Sequence, residues 1–192
     1  PVTTVELARQ YRDRILAALP HNVDFTPLMT LYLTDNTPTK EIERAKASGF
    51  VPAVKLYPAG ATTNSQSGVT DIGKVADVIA AMEACGLPLL VHGEVTDAVI
   101  DVFDREHVFI ERILKPLVSR YAKLRLVLEH ITTTQAADFV TNAGPNIAAT
   151  ITAHHLLLNR NALFQGGIRP HHYCLPVLKR ERDREVLLAA AT

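Results

Sequence analysis

Three polar residues stand in apolar surroundings: Lys55 in Val54-Lys55-Leu56-Tyr57, His92 in Leu90-Val91-His92-Gly93-Glu94, and His130 in Leu128-Glu129-His130-Ile131-Thr132. Neutral imidazole is a common zinc ligand, so two histidines and a lysine brought to one place suggest a metal centre. The lysine is the odd member of that set. An ammonium buried among Val54, Leu56 and Tyr57 is penalised by desolvation, which lowers its pKa, and it would repel a neighbouring cation. A neutral amine can react with carbon dioxide to give a carbamate, an anion whose two oxygens can bridge two metal ions.

The spacing says how these residues could meet. Lys55 and His92 are 37 residues apart, and His92 and His130 are 38 apart. A (β/α)₈ barrel of about 250 residues has units of roughly 31, longer with insertions, and it collects its active site from the C-terminal ends of several strands. Equal spacing therefore predicts that the three occupy the same place in successive units, on one rim and pointing at one another. An open doubly wound sheet could be built from the same units, but no GxGxxG turn or P-loop favours it.

The elements that must position them follow the same rhythm. Thr3 and Glu6 form a capping-box pattern that opens a helix ending near Leu19-Pro20. Phe25 to Thr34 reads as a buried strand, Thr39 to Ser48 as a short helix, and Val51 to Pro58 as a second strand. Asp71 to Cys85, closed by Gly86, is helical; Leu87 to Val95 is strand-like; Ala98 to Tyr121 holds one long or two shorter helices. Leu124 to Thr132 is strand-like, Thr133 to Asn142 helical, Asn146 to Ala153 a fifth strand and Lys179 to Thr192 a final helix. Nearly continuous apolar strands, each followed by a helix, are what a parallel sheet covered by helices requires, so the class is α/β. No repeat, low-complexity tract or Gly/Ser linker divides the chain, which predicts one domain across residues 1–192. The polar, glycine-bearing loop from Pro58 to Asp71 is the candidate lid.

Composition excludes other classes. With 20 Lys+Arg against 20 Asp+Glu, interspersed, no basic field is available to hold nucleic acid or an anionic membrane. The longest apolar runs fall short of the roughly 18 residues that a membrane helix needs. Cys85 and Cys174 lack CxxC spacing and read as free thiols, which points to a reducing, cytoplasmic compartment. The chain opens on Pro1-Val2-Thr3-Thr4 and stops at Ala189-Ala190-Ala191-Thr192 within a helical pattern, which reads as a portion of a longer polypeptide.

The motifs Ala53-Val54-Lys55-Leu56-Tyr57-Pro58-Ala59, Leu89-Leu90-Val91-His92-Gly93-Glu94-Val95, Phe103-Asp104-Arg105-Glu106 and Leu128-Glu129-His130-Ile131-Thr132-Thr133 resemble the dihydroorotases of the short bacterial type, in the amidohydrolase superfamily. The likeness continues through Ile151-Thr152-Ala153-His154-His155-Leu156 and Arg169-Pro170-His171-His172-Tyr173-Cys174-Leu175-Pro176, and so covers nearly the whole chain. It implies a (β/α)₈ TIM-barrel fold, incomplete here, with two zinc ions at its mouth, and a homodimer. Lys55 would be the carbamylated lysine bridging both zinc ions, and His92 and His130 would ligate the second. Thr62 and Thr63 would sit at the tip of a mobile loop that closes over substrate, and Leu175 would meet the pyrimidine ring through its backbone. The implied reaction is reversible cyclisation of N-carbamoyl-L-aspartate to L-dihydroorotate, with the metals acidifying water and polarising the ring carbonyl. The family's His-x-His pair with its arginine, an assisting asparagine, a later metal-binding aspartate and a substrate-contacting histidine have no counterpart in these residues.

The remaining polar residues have plainer readings. Glu94 and Glu129 adjoin the three and read as structural groups or groups behind the ligands. Adjacent strand residues face opposite sides, so His154-His155 and His171-His172 should each diverge, with His155 and His171 the better placed to reach the mouth. His21 and His107 read as surface positions and Arg105 as part of a solvated helix face. Two other functions stay open: a hydantoinase-like cyclic-amide hydrolase, and a non-catalytic barrel homologue that serves as an assembly partner.

Overall fold

A computed structural model describes all 192 residues. Five parallel strands form one sheet in the order β1-β2-β3-β4-β5, with β1 at Thr30–Tyr32, β2 at Ala53–Leu56, β3 at Leu89–His92, β4 at Leu126–Glu129 and β5 at Ile147–Ala149. Helices intervene: α1 at Val5–Ala17 precedes β1, α2 is Thr39–Ser48 and α3 is Ala76–Cys85. Between β3 and β4 run α4 at Arg105–Phe109 and α5 at Lys115–Arg120, followed after β4 by α6 at Thr134–Thr141, then α7 at Ala153–Leu157 and α8 at Glu181–Ala191.

Register sorts the side chains into two faces. Leu31, Val54, Leu89, Leu126 and Ile147 pair across the sheet in one row, and Leu56, Val91, Leu128 and Ala149 in another two residues on. These rows pack against Ile42, Ala45, Ile79, Met82, Ile110 and Leu114 of the helices in one continuous core. The alternate row, Tyr32, Lys55, Leu90 and Val127, lies on the other face, where Tyr32, Leu90 and Val127 are only half-buried.

Gly93 shows how tight the covered face is. A Cβ there would lie 2.6 Å from Leu128 Cδ1 and 3.5 Å from Phe109 Cδ1. Leu128 is fully buried, so any shift of its side chain must displace core neighbours. Gly93→Ala is therefore expected to destabilise the protein by about 1–3 kcal/mol through overpacking, read as a lower urea midpoint at unchanged slope.

Several boundaries differ from the sequence reading. Thr4, one residue later than expected, caps α1 by accepting the Leu7 N–H at 3.2 Å, and the helix stops at Ala17. Of the stretch read as one buried strand from Phe25, only Thr30–Tyr32 pairs, while Phe25 and Leu28 are 53% and 71% exposed. Pro27 and Met29 are buried nonetheless, and the Met29 N–H donates to Phe50 O at 3.0 Å. The segment from Asp71 begins as a 3-10 turn, Ile72–Val75, before α3, which Gly86 closes at φ +66°. α4 and α5 join through a π-helical turn at Ile110–Leu114, next to Pro116, which can neither donate to a preceding carbonyl nor leave room for it. Helix α7 was not expected. It carries His154 and His155, so these are helical neighbours with ring centroids 4.2 Å apart, not diverging strand residues.

Candidate active site

Lys55, His92 and Glu129 come from the C-terminal halves of three adjacent strands, and His130 from the residue that follows β4. Their heights are staggered. Lys55 pairs with Leu90, two residues short of His92, and His92 pairs with Glu129, not His130. Equal sequence spacing thus does not give equal level, because strands in a barrel-like sheet are offset from one another. His130 also leaves the strand conformation: its φ is +46°, an uncommon left-handed value for a non-glycine residue. That turn sends His130 to the same side as Glu129, where strand alternation would have opposed them, and the His92 and His130 rings meet edge to face with centroids 4.9 Å apart.

Lys55 is 7% exposed, yet its chain ends among polar groups. Its Nζ lies 4.8 Å from the Tyr57 ring centroid and donates to the Glu129 carboxylate. Burial pushes the ammonium below its ordinary value, partly opposed by the hydrogen bond and charge of Glu129. Tyr57 in turn stacks on Tyr32 at 5.3 Å and lies 6.0 Å from the His92 ring. Burial raises both tyrosines, with the Glu129 charge adding to the effect on Tyr57 and Tyr57 adding to that on Tyr32.

The imidazoles are poised differently. His92 Nε2 is 2.8 Å from Glu94 Oε2, both groups being fully buried. That contact orients the ring and leaves Nδ1 as the nitrogen free to ligate, the arrangement metal-binding histidines commonly use. His130 Nδ1 is buried with no hydrogen-bond partner. Burial first, then the charges of Lys55 and His92, push His130 down to about 3, so its ring is neutral with a lone pair at physiological pH. An orphaned imidazole nitrogen, a second imidazole with one nitrogen free and a lysine beside a carboxylate fit a metal centre. They do not complete one: no group of three or more His, Cys, Asp or Glu side chains gathers at metal-binding geometry in these residues.

The other expected residues lie apart. Thr62 is half-buried and Thr63 exposed, in a loop closed at its base by Val69 N–H donating to Tyr57 O at 2.8 Å and at its tip by Ser65, whose Oγ donates to Thr62 O at 2.6 Å. Leu175 is half-buried in the connection before α8, and neither it nor the threonines hydrogen-bonds to Lys55, His92 or His130. His171 is exposed on a 3-10 turn, and the partly buried His172 gives Nδ1 to Ala162 O at 2.8 Å. His155 is buried, but both of its nitrogens are engaged, Nδ1 with Thr152 Oγ1 at 2.5 Å and Nε2 with Pro176 O at 3.1 Å.

Burial, then the charge of His154, lowers His155 to about 4 from 6.5. The folded protein therefore binds this proton more weakly than the unfolded chain does. The stability contribution is full above about pH 6.5 and falls as pH drops from there towards about 4, with His130 extending the loss. Thermal melts across that window are expected to show Tm falling, and less steeply in His155→Gln.

Sequence reasoning passed over Glu106, which lies wholly inside the protein. The signal was available: Glu106 sits three and four residues before Phe109 and Ile110, on the apolar face of its helix.

The amidohydrolase family model matches residues 8–192. The chain belongs to the amidohydrolase family. A curated dihydroorotase of Aromatoleum aromaticum is 68% identical to this amidohydrolase over 192 residues, all of this chain and 56% of that protein. The crystal structure of dihydroorotase from Campylobacter jejuni matches with a TM-score of 0.89 at 38% identity, over 100% of this chain and 54% of the other. L-Hydantoinase from Arthrobacter aurescens shares the fold, with a TM-score of 0.77 at 18% identity over 97% of this chain and 44% of its own. The five-stranded parallel sheet is thus part of the TIM-barrel fold of these amidohydrolases, and the chain spans about half the length of the relatives it matches.

Proposed function

We propose that this chain is a portion, within a single barrel domain, of a zinc-dependent dihydroorotase that interconverts N-carbamoyl-L-aspartate and L-dihydroorotate as a cytoplasmic homodimer. The observation that carries the proposal is 68% identity to a dihydroorotase along every residue, against 18% to a hydantoinase of the same fold. The cluster of Lys55, His92 and His130 supports the metal chemistry, and the free thiols of Cys85 and Cys174 suit a reducing compartment.

In this reading Lys55, His92 and His130 hold the metal together with ligands outside these residues. Metal ions bound there supply Lewis acidity towards a ring carbonyl and lower the pKa of water. Burial favours the neutral amine of Lys55, which forms a nitrogen–carbon bond with carbon dioxide. The proton released passes to the Glu129 carboxylate beside it, and the product is a carbamate. Glu94 fixes the ring of His92, and burial keeps His130 neutral as a donor. The loop bearing Thr62 and Thr63 closes over the substrate, and the Leu175 backbone meets its ring.

The test is kcat/KM of the full-length protein on L-dihydroorotate and on hydantoin. The proposal expects dihydroorotate to be preferred by at least about two orders of magnitude. A preference for hydantoin would replace it with the hydantoinase reading, and no turnover of either by zinc-loaded protein would favour the assembly-partner reading.

A further inference from the structure

We propose that Glu106, assisted by Asp183, is a positioning residue that sets the orientation of His130 by clamping the threonine triplet that follows it; this rests on the reading of His130 as a metal ligand. Glu106 is 2% exposed on α4. Its carboxylate accepts the Thr132 N–H at 3.0 Å from each oxygen, the Thr132 hydroxyl at 3.1 Å, the Thr133 N–H at 2.8 Å and the Thr133 hydroxyl at 2.5 Å. Asp183, 5% exposed on α8, takes the next residue: it accepts the Thr134 N–H at 3.1 Å and the Thr134 hydroxyl at 3.0 Å.

Three consecutive backbone N–H groups therefore end on two buried carboxylates that belong to other helices. On its other flank, His130 N–H donates to Thr150 Oγ1 at 2.8 Å and Ile131 N–H to Thr150 O at 2.9 Å. The left-handed His130 is thus gripped twice, by Thr150 just after β5 at its own N–H and that of Ile131, and by Glu106 at the two residues that follow. Lys179, 4% exposed, donates to Val177 O at 2.9 Å; burial pushes its ammonium below its ordinary value, partly opposed by the charges of Glu106, Glu94, Asp183 and Asp104.

The choice of a carboxylate is informative. Thr133 already caps α6 by accepting the Ala136 N–H at 3.2 Å, so the helix start does not need a buried charge. Burying carboxylates with one ammonium is a poor way to add stability, because desolvation opposes it. Only an acceptor-only group offers lone pairs to two N–H and two hydroxyl donors at once. A glutamine in its place would turn its NH₂ towards backbone N–H groups that cannot accept.

The test compares the parent full-length protein with Glu106→Gln and with Thr132→Val, a near-isosteric change that deletes one of the five contacts and leaves the carboxylate in place. The readouts are Zn²⁺ affinity by chelator competition and the ligand-field spectrum of the Co²⁺-substituted protein, each on folded protein. We expect Zn²⁺ affinity to fall about 10–100-fold in Glu106→Gln and by a few-fold in Thr132→Val, with a shifted Co²⁺ spectrum. If Glu106→Gln fails to fold, Thr132→Val alone decides. A metal-loaded, active parent beside folded variants with parental affinity and spectrum would overturn this proposal while leaving the function intact. A parent that binds no metal would overturn both.

Discussion

Lys55→Ala is expected to abolish retention of the metal pair and to lower turnover of dihydroorotate by at least about three orders of magnitude, since metal ions contribute several kcal/mol to transition-state stabilisation. The geometry argues for so large an effect. Lys55 lies between the Tyr57 ring and the Glu129 carboxylate, and its charge reaches His130. Alanine would remove the proposed bridging anion and would also leave Glu129 without its partner. Alanine at Thr62 or Thr63 should instead slow turnover and leave metal content intact, because these residues touch none of the proposed ligands. Metal analysis beside steady-state kinetics separates the two cases. Unchanged metal stoichiometry in Lys55→Ala would remove the bridging role.

Gly68→Ala is expected to lower kcat by about 10–100-fold and to raise KM, with zinc content unchanged, because small displacements of positioning groups are costly in rate. A Cβ at Gly68 would fall 2.3 Å from the Tyr57 carbonyl oxygen and 3.0 Å from the Ser65 carbonyl oxygen. Backbone must therefore move. The Tyr57 oxygen is the one that accepts the Val69 N–H and closes the loop at its base. Displacing it loosens the loop carrying Thr62 and Thr63, and also Tyr57, whose ring faces Lys55 and His92. Kinetics like the parent's would mean that the loop takes no part in closure.

The alternation of apolar strands and amphipathic helices was legible because apolar residues on both faces of a strand leave continuous runs, as in Leu87 to Val91. What escaped was set by context that lies elsewhere in the chain. The residues from Phe25 to Met29 are as apolar as a buried strand, yet the strand begins only at Thr30, and Phe25 and Leu28 stay exposed. His154 and His155 looked like the end of a strand, but Thr152 and Pro176 draw His155 into a helical turn. In the site, the residue types of Lys55, His92 and His130 pointed to metal chemistry. Their staggered register and the left-handed turn at His130 could not be read from spacing, because both depend on how neighbouring strands slide past one another. Glu129 was set aside on the rule that adjacent strand residues diverge, a rule that fails once His130 leaves the strand.

As a carbamate, Lys55 is proposed to join His92 and His130 in a two-metal centre. The most direct measurement is zinc content and incorporation of isotopically labelled bicarbonate in the full-length protein, purified without chelator. About two zinc ions and one labelled carbon per chain are expected, as a carbamate-bridged two-metal site requires. Little zinc and no label in folded protein would contradict it.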